Sequence, residues 1–408
     1  MPSPPTDIAI ACRLCGSALS SAVLDFGPLP ACNRFTAPAA SPETLPLVVR
    51  SCRACGLIQL ETAPPPSFLV PRVPWIRYRE PEAHLDDLVE RLRTSRSAWL
   101  RNAIGTGPFD APLTDRLGRH GVTTAQLPLP ASDGMAAYPY LETIQDGLEP
   151  AALGRAAERL GTADLVCCRY LLEHCHRPVA ALAGLGQLAG PDGAVLVEVP
   201  DSTKFLARRD YSFIWEEHAS YFTEATLRAA ATHAGFEIAE LIRYEGVLED
   251  ALVAILQPMT RPAIVGPDDE IETGNAAFAD YAAAFASVRA AYRARLAGIV
   301  AGGGKVGLLG AGHQAIMFVN ALGLQRYIAV VADDDPNKQG YCPAGLAVPI
   351  QPSSAIAADP EVSFCLLAVG PGAEAKVRTK LADFTGRGGV VLSIFEQQDP
   401  RSISAGTA

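Results

Sequence analysis

Four cysteines form two CxxC pairs in the first part of the chain, a spacing typical of a metal site. Cys12 and Cys15 make the first pair, and Cys52 and Cys55 make the second. A glycine follows each pair, which lets the backbone turn tightly and direct its amides at the sulfurs. Four thiolates complete a closed tetrahedron around Zn²⁺ and leave no position open for a substrate. We therefore predict one structural zinc ion; the alternative is four buried or oxidisable thiols.

Two segments rich in histidine and glutamate occur in the middle of the chain. Glu173 and His174 follow a predicted strand over 163–168, and Glu217 and His218 lie in the run WEEHASYFT. Histidine exchanges protons near neutral pH, and a neighbouring carboxylate can orient it and raise its basicity. We predict His218 as a general base, Glu217 as the group that positions it or the substrate, and His174 as a second candidate. The alternative is that these groups cap helices and satisfy buried polar contacts.

Two glycine-containing turns follow predicted strands, as nucleotide-binding turns do. Gly105 and Gly107 form the first, which alone indicates little. Gly310 and Gly312 form the second, in the run GAGHQA, and Asp333 lies about 20 residues further on, where a ribose-binding acid would stand. That pattern indicates a dinucleotide site, but the third glycine of the fingerprint is replaced. The residues after Asp333 either contact a substrate or form an Asp-Pro-Asn turn.

The elements that carry these residues alternate between strand and helix, which predicts parallel sheets covered by helices. The fold class is α/β, with predicted domains 1–70, 71–258 and 259–408. The first is a small metal-stabilised module without long periodic segments. Predicted strands span 123–129, 163–168, 194–199, 248–257, 305–309, 328–332, 363–369 and 389–394. Predicted helices span 80–102, 178–188, 224–233, 274–299 and 314–322.

Composition limits the classes of partner. The chain has 408 residues and a net charge of −10, which argues against tracking a nucleic-acid backbone. No uncharged apolar stretch of about 18 residues predicts a membrane span, and the N-terminus lacks the pattern of a secretory signal. Of the six cysteines outside the two pairs, Cys167, Cys168 and Cys365 lie in apolar runs and the others are scattered, which suits a reducing compartment. We expect a cytoplasmic protein with a small-molecule substrate and no nucleic-acid or membrane partner, either a monomer or a dimer.

Segments across nearly the whole chain resemble the zinc-containing C-methyltransferases that act on nucleotide-linked deoxysugars. CRLCG, LDFGPLPACNRF and CRACGLIQL resemble that family's zinc domain, and YLLEHCHRP, LVEVPD and WEEHASYFT resemble its central domain. GLLGAGHQAIMFVNAL, DDDPNKQG and GGVVLSIF resemble its C-terminal domain. The resemblance implies a zinc-binding module, a central class I methyltransferase-like (Rossmann-like) sheet, and a second Rossmann-like domain that helps bind the sugar nucleotide and carries no redox cofactor.

The resemblance also implies a reaction and the residues for it. A histidine of the EH-x-x-Y-F motif helps remove a proton beside a ketone, and the enolate attacks the methyl group of S-adenosylmethionine. Glu217 and His218 match that motif, and His174 matches the histidine of an LxH motif. The implied cofactor-binding residues are Gly105, Gly107, Asp110 and Glu173. The implied substrate-binding residues are Trp75, Tyr78, Trp215, Tyr221, Gly310, Gly312, His313, Asp333 and Lys338.

The chain departs from the family pattern at the cofactor turn. Ala103 stands where the family has an acid, and the strand predicted over 123–129 offers no Asp or Glu for the ribose hydroxyls. Trp215 replaces an expected tyrosine. Two functions therefore stay open. One is a C-methyltransferase that works by base-assisted enolisation, and the other is a repurposed isomerase or binding protein for sugar nucleotides. A dehydrogenase would depend on the GAGH turn alone.

Overall fold

The computed structural model describes residues 10–38, 40–73, 75–76, 78, 80–96, 100–127, 148–260, 268–396 and 403. Within these ranges the strands form a four-stranded, a six-stranded and a five-stranded sheet, plus one two-stranded pairing. No helix in this part of the chain is long and apolar enough to cross a bilayer.

The N-terminal module, defined here as residues 10–69, is built mainly from antiparallel strands. Its elements are β1 (Leu19–Pro30), β2 (Phe35–Thr36), β3 (Thr44–Cys52), β4 (Ile58–Leu60) and the short helix α1 (Pro66–Leu69). β1 pairs with β3, and β3 pairs with β4. Leu24 and Phe26 lie two residues apart on β1 and are both buried, as alternation along a strand requires. The sequence pattern predicts no strands here, because prolines and β-bulges interrupt the alternation.

The central part is an open sheet with the order β10-β11-β8-β7-β5-β6. The strands of this sheet are β5 (Asn102–Gly105), β6 (Thr123–Gln126), β7 (Leu165–Arg169), β8 (Ala194–Asp201), β10 (Phe236–Tyr244) and β11 (Asp250–Pro258). The short strand β9 (Ser220–Tyr221) lies between β8 and β10 in the chain and joins another sheet. The helices of the central part are α2 (Leu85–Arg96), α3 (Ala111–Arg119), α4 (Pro150–Leu160), α5 (Pro178–Ala189), α6 (Thr203–Arg208) and α7 (Glu224–His233). β5 to β8 are parallel, and β11 is antiparallel to both of its neighbours. The predicted methyltransferase-like α/β fold is thereby confirmed.

The C-terminal part is a parallel sheet with the order β15-β13-β12-β16-β17. Its strands are β12 (Lys305–Leu309), β13 (Ile328–Ala332), β14 (Cys342–Pro343), β15 (Ile350–Gln351), β16 (Val362–Leu367) and β17 (Val390–Ser393). Its helices are α8 (Asp268–Ala301), α9 (His313–Leu322), α10 (Ser354–Ala358), α11 (Pro371–Lys380) and α12 (Ala382–Gly386). Gly310 has φ +99°, so the turn before α9 requires glycine there.

Backbone pairing joins the N-terminal module to both other parts. β9 adds to the edge of the module's sheet, where Ile58 pairs with Tyr221 and Gln59 pairs with Ser220. The amide of Leu60 donates to the carbonyl of Ala219 at 3.1 Å. On the other side, β2 pairs with β14 of the C-terminal part. The module is therefore a bridge between the two larger sheets.

The long helix α8 packs across all three parts through aromatic side chains. Phe285 of α8 meets Phe26 of β1 with ring centroids 4.9 Å apart. Tyr211 and Tyr281 each donate a hydrogen bond to a backbone carbonyl on the other's segment. The Tyr211 hydroxyl donates to the Tyr281 carbonyl at 2.8 Å, and the Tyr281 hydroxyl donates to the Asp210 carbonyl at 3.0 Å. These contacts fix the segment that leads into WEEHASYFT.

The helix predicted over 80–102 is wrong at both ends. α2 spans only Leu85–Arg96, and Asn102 begins a strand instead. The reason is tertiary, because β5 pairs with β6 on one side and β7 on the other. Of the strand predicted over 123–129, β6 covers Thr123–Gln126, and residues 128 and 129 lie outside the described ranges.

Candidate active site

The structure brings the four predicted zinc ligands together. The Sγ atoms of Cys12, Cys15, Cys52 and Cys55 all lie within 4.8 Å of one another. The Cys12–Cys55 and Cys15–Cys52 pairs are 3.4 and 3.5 Å apart. Tetrahedral Zn–S bonds of about 2.3 Å place ligand sulfurs about 3.8 Å apart. The sulfurs therefore fit one zinc ion in a closed, structural site, with no ligand position left for a substrate.

The loop after β1 holds the two glutamates of the WEEHASYFT run. The amide of Cys32 donates to Glu216 Oε1, and Asn33 Nδ2 donates to Glu217 Oε1 at 3.0 Å. Arg34 in turn donates to Asn33 Oδ1 and fixes that amide group. Asn33 and Glu216 are not among the site residues predicted from the sequence. The sequence signal that could have indicated Asn33 is its position directly after Cys32, the lone cysteine between the two CxxC pairs.

Tyr78, Glu217 and His313 come from three separate parts of the chain and meet in one cluster. The Tyr78 hydroxyl donates to Glu217 Oε1 at 2.8 Å and lies 3.5 Å from His313 Nε2. His313 Nε2 is 3.9 Å from Glu217 Oε1. Burial and the nearby Lys338 charge lower the pKa of His313 to about 4, so its ring is neutral at pH 7. The cluster therefore offers one carboxylate, one phenol and one neutral imidazole to a ligand.

His174 and His218 form a second cluster beside the first. Their ring centroids are 4.7 Å apart with nearly perpendicular planes, and Trp215 lies 5.0 Å from His218 on another side. Burial lowers the pKa of His218 to about 3 and lowers the pKa of His174 well below its usual range. Both imidazoles are therefore unprotonated at neutral pH, and each can accept a proton.

Glu217 and His218 are neighbours in sequence, but their side chains serve different clusters. The Glu217 carboxylate accepts from Tyr78 and Asn33, and its backbone holds His174 by a hydrogen bond. Of the two roles predicted for Glu217, this geometry supports positioning of the substrate. Glu173, in a 3₁₀ turn after β7, is the carboxyl group that lies within 4.8 Å of both imidazoles.

Aromatic residues predicted to bind substrate border the two clusters. Trp215 lies between them, with its ring 5.0 Å from His218 and 6.0 Å from His313. The Tyr221 hydroxyl accepts from the Trp215 amide at 2.8 Å and donates to its carbonyl at 2.9 Å, so it holds the loop in place. The Tyr221 ring still lines a cavity of about 20 Å³ together with His218. Trp75 packs on Phe35 at 4.9 Å.

The glycine turn before α9 is held by Asp333. Its carboxylate accepts from the Ala311 amide at 2.9 Å and from Lys338 Nζ at 2.8 Å. The Asp335 amide donates to its other oxygen at 2.9 Å. Asp333 is thus committed to the protein at the position where a dinucleotide ribose would need it. Gly310 and Gly312 form the turn that places His313 at the start of α9. This role does not require a bound dinucleotide.

The cofactor turn at the end of β5 is organised by Asp110. Asp110 is fully buried, and its Oδ2 accepts from the amides of Thr106 and Gly107 at 2.8 and 2.7 Å. Its Oδ1 accepts from the Arg169 amide at 2.9 Å. Burial raises its pKa to about 7. The Asp110 carboxyl group thus closes the turn on itself, and its contact with a cofactor stays a prediction.

The remaining residues of this turn fit a nucleoside cofactor. A Cβ at Gly105 would stand 2.3 Å from Gln126 Oε1, so the Gln126 amide reaches over the turn where the family's ribose-binding acid is missing. An amide group can exchange hydrogen bonds with hydroxyls. Glu173 is buried, and its Oε2 has no hydrogen-bond partner among the described residues. Such an orphaned acceptor is expected to be satisfied by a bound molecule.

Three family models match the chain in the predicted order. "Putative zinc binding domain" matches residues 12–69, "Methyltransferase domain" matches residues 98–241, and "C-methyltransferase C-terminal domain" matches residues 268–394. The chain therefore has a zinc-binding domain, a methyltransferase domain and a C-methyltransferase C-terminal domain in this order. It is a methyltransferase, and the cofactors of this architecture are a zinc ion and S-adenosylmethionine.

Individual relatives agree with this assignment. The chain is 27% identical over 365 residues to the C-methyltransferase NovU of Streptomyces niveus, and the matched region covers 83% of this chain and 84% of that protein. Among solved structures, magnesium protoporphyrin IX methyltransferase from Synechocystis is 17% identical, with a TM-score of 0.29 over 42% of this chain and 81% of that one. A methyltransferase from Anabaena variabilis is 16% identical, with a TM-score of 0.31 over 43% and 86%.

Replacing Cys52 with serine should abolish zinc binding and destabilise the protein by about 3 kcal/mol or more, because a structural zinc site contributes folding free energy directly. Metal analysis and thermal unfolding measure the two effects. Cys32→Ala is the matched control, since Cys32 is buried in the same module but lies outside the cluster. A Cys52→Ser protein that retains a full zinc complement would show that the site is assigned wrongly.

The histidines of the site should remain unprotonated well below neutral pH. His174, His218 and His313 have folded pKa values below the unfolded value of about 6.5. Their imidazole NMR signals should therefore not titrate between about pH 5 and pH 8, with His218→Gln used to assign one of them. Their contribution to stability is present above about pH 6.5 and is lost as pH falls toward the folded values. A titration midpoint near 6.5 for any of the three would contradict the burial argument.

Proposed function

We propose that the protein transfers a methyl group to the carbon beside the ketone of a nucleotide-linked keto-deoxysugar. The observation that carries the proposal is the joint placement of two neutral imidazoles, His174 and His218, next to the cluster of Tyr78, Glu217 and His313. The first pair provides a proton acceptor, and the second cluster provides hydrogen-bonding groups that suit a polar sugar. The similarity to NovU, which is named a C-methyltransferase, supports the same reaction class.

His218 is the group that removes the proton. Its ring is half-buried, unprotonated and adjacent to the cavity that it shares with Tyr221. A neutral imidazole within hydrogen-bond reach of an acidic C–H acts as a general base, and such catalysis contributes about 10²- to 10⁴-fold in rate. His174 packs edge-on against it, so the proton acceptor is held in one orientation.

The Tyr78, Glu217 and His313 cluster positions the sugar. Glu217 accepts hydrogen bonds, and Tyr78 can donate or accept them. Neutral His313 donates from one ring nitrogen and accepts at the other. His313 begins α9, and the first turn of a helix offers backbone amides that suit a phosphate group. The cluster would therefore hold the sugar, and the backbone amides at the start of α9 would hold a phosphate of the nucleotide.

S-adenosylmethionine, when bound, supplies an electrophilic methyl group. The residues that fit it are Gly105 and Gly107 in the turn, Gln126 over the turn, and Glu173 at the reacting end. The protein's contribution is to align the carbon nucleophile with that group and to exclude water, because a positively charged sulfur leaves without acid catalysis.

A second candidate activity, isomerisation of the sugar by the same enolisation, is favoured by the closed turn at Asp110. The amides of Thr106 and Gly107 are occupied by Asp110, although a cofactor turn commonly presents its backbone to the ligand. Such a protein would use His218 for the same enolisation and return the proton to the sugar.

His218→Gln should lower the methylation rate by about 10²-fold or more while the thermal unfolding temperature changes little. The assay incubates the protein with ¹³C-methyl S-adenosylmethionine and a nucleotide-linked keto-deoxysugar, and NMR detects a new carbon–methyl bond. His120→Gln is the control, since His120 is exposed on the central domain. Full activity of folded His218→Gln would remove this residue from the mechanism. Deuterium exchange beside the ketone without methylation would support the isomerase instead.

A further inference from the structure

We propose that three carboxyl groups, those of Glu80, Glu173 and Glu249, recognise the positively charged sulfonium end of S-adenosylmethionine. The inference rests on the proposed function, since it concerns the donor of that reaction. The three groups come from separate elements: the segment before α2, the turn after β7 and the loop before β11. None of them stands at position 103 or at the end of β6, where the family pattern places its acids. The chain would thus have displaced its acidic cofactor contacts to new positions.

Glu173 is the best-defined member of this group. Its side chain is 1% exposed, and Oε2 has no hydrogen-bond partner within the described ranges. A carboxyl oxygen of Glu173 lies within 4.8 Å of ring nitrogens of both His174 and His218. The unpartnered oxygen is therefore next to the proposed base, where the transferred methyl group must arrive. Buried polar atoms in native proteins are seldom left unpaired, so a ligand is expected to complete this one.

Glu249 and Glu80 extend the same surface. Glu249 lines the cavity that also contains His218, which places it on the same side of the sheet. Glu80, Glu173 and Glu249 lie close enough for their charges to act on one another. Burial raises the pKa of Glu80 to about 7 and that of Glu249 to about 8, and it raises the pKa of Glu173 well above its usual range. An approaching cation would therefore favour loss of a proton from these groups.

The charges of Arg169 and Arg208 act on Glu80 and Glu249 and partly oppose the rise in their pKa, but both arginines donate their hydrogen bonds elsewhere. Arg169 donates to Glu198 and to the carbonyls of Phe109 and Pro81, and Arg208 donates to the carbonyls of Val247 and Leu248. Glu198 is also 2.9 Å from His84. Among the described residues, no Lys or Arg forms an ion pair with any of the three carboxyl groups. A positive charge from a ligand would consequently be the strongest partner available to them.

The groups that face Glu173 from the surrounding elements supply no positive charge either. These groups are Glu80, Glu198 and Glu249, the imidazoles of His174 and His218, and the thiols of Cys168 and Cys175. Burial lowers the pKa of the two imidazoles and raises the pKa of the two thiols. All four are neutral at pH 7, so ionisation of Glu173 depends on what binds beside it.

The reaction itself changes the charge that these carboxyls would recognise. Before transfer the sulfur carries three carbon substituents and a positive charge. The S–CH₃ bond then breaks, its electron pair stays on sulfur, and the enolate pair forms the new C–CH₃ bond. The remaining thioether of S-adenosylhomocysteine is neutral. Carboxyl groups beside the sulfur would therefore bind the donor more tightly than the spent cofactor, which promotes product release.

Isothermal titration of the zinc-loaded, full-length protein tests the inference with S-adenosylmethionine and S-adenosylhomocysteine as separate ligands. The affinity for S-adenosylmethionine should rise from about pH 6 to about pH 9, with net proton release measured in buffers of different ionisation enthalpy. The affinity for S-adenosylhomocysteine should change much less. Glu173→Gln should reduce the preference for the methylated ligand about tenfold.

Two further variants make the outcome decisive. Glu249→Gln should reduce the same preference and is half-exposed, so it tests the site even if Glu173→Gln unfolds. Glu90→Gln, on the exposed face of α2, is the control and should leave both affinities unchanged. Binding of both ligands with equal responses to pH and to the two site variants would overturn the inference and leave the proposed function standing. Absence of binding by either ligand to the wild-type protein would overturn both.

Discussion

The pairing of β4 with β9 is the constraint on which the candidate active site depends. Cys52 ends β3 and Cys55 precedes β4, so a zinc ion on the four cysteines holds the β3–β4 turn. β4 then holds the backbone of Ala219 and Tyr221 through hydrogen bonding and pairing. His218 immediately precedes Ala219 in the chain. Metal binding is thereby coupled to the position of the proposed base, although no zinc ligand faces the substrate.

Desolvation is the second constraint, and it acts oppositely on the two kinds of titratable group. It lowers the pKa of His174, His218 and His313, and it raises the pKa of Glu173. All four groups are therefore neutral near pH 7. In a low-dielectric pocket, the charge of an arriving ligand then decides which of them ionises. A site assembled this way responds to the electrostatics of its ligands more strongly than to bulk pH.

The apolar strands follow directly from the sequence, whereas the site's long-range contacts do not. β12 and β13 match their predicted bounds, because strands buried on both faces read as continuous apolar runs. The contact between Tyr78 and His313 joins residues 235 positions apart, and only tertiary packing determines it. Chain order likewise does not show that the Asp110 carboxyl group points back into its own turn.

Hydrogen exchange before and after removal of zinc tests most directly whether the N-terminal module positions the catalytic segment. Amides of 58–60 and 219–221 should lose protection together when a chelator removes the metal, because they share one set of strand pairings. Amides of α2 should keep their protection, since Leu85, Leu88 and Leu92 pack in a core cluster that includes no described residue of the N-terminal module. Unchanged exchange at 219–221 in the metal-free protein would contradict the account, because the base would then be held in place without the zinc module.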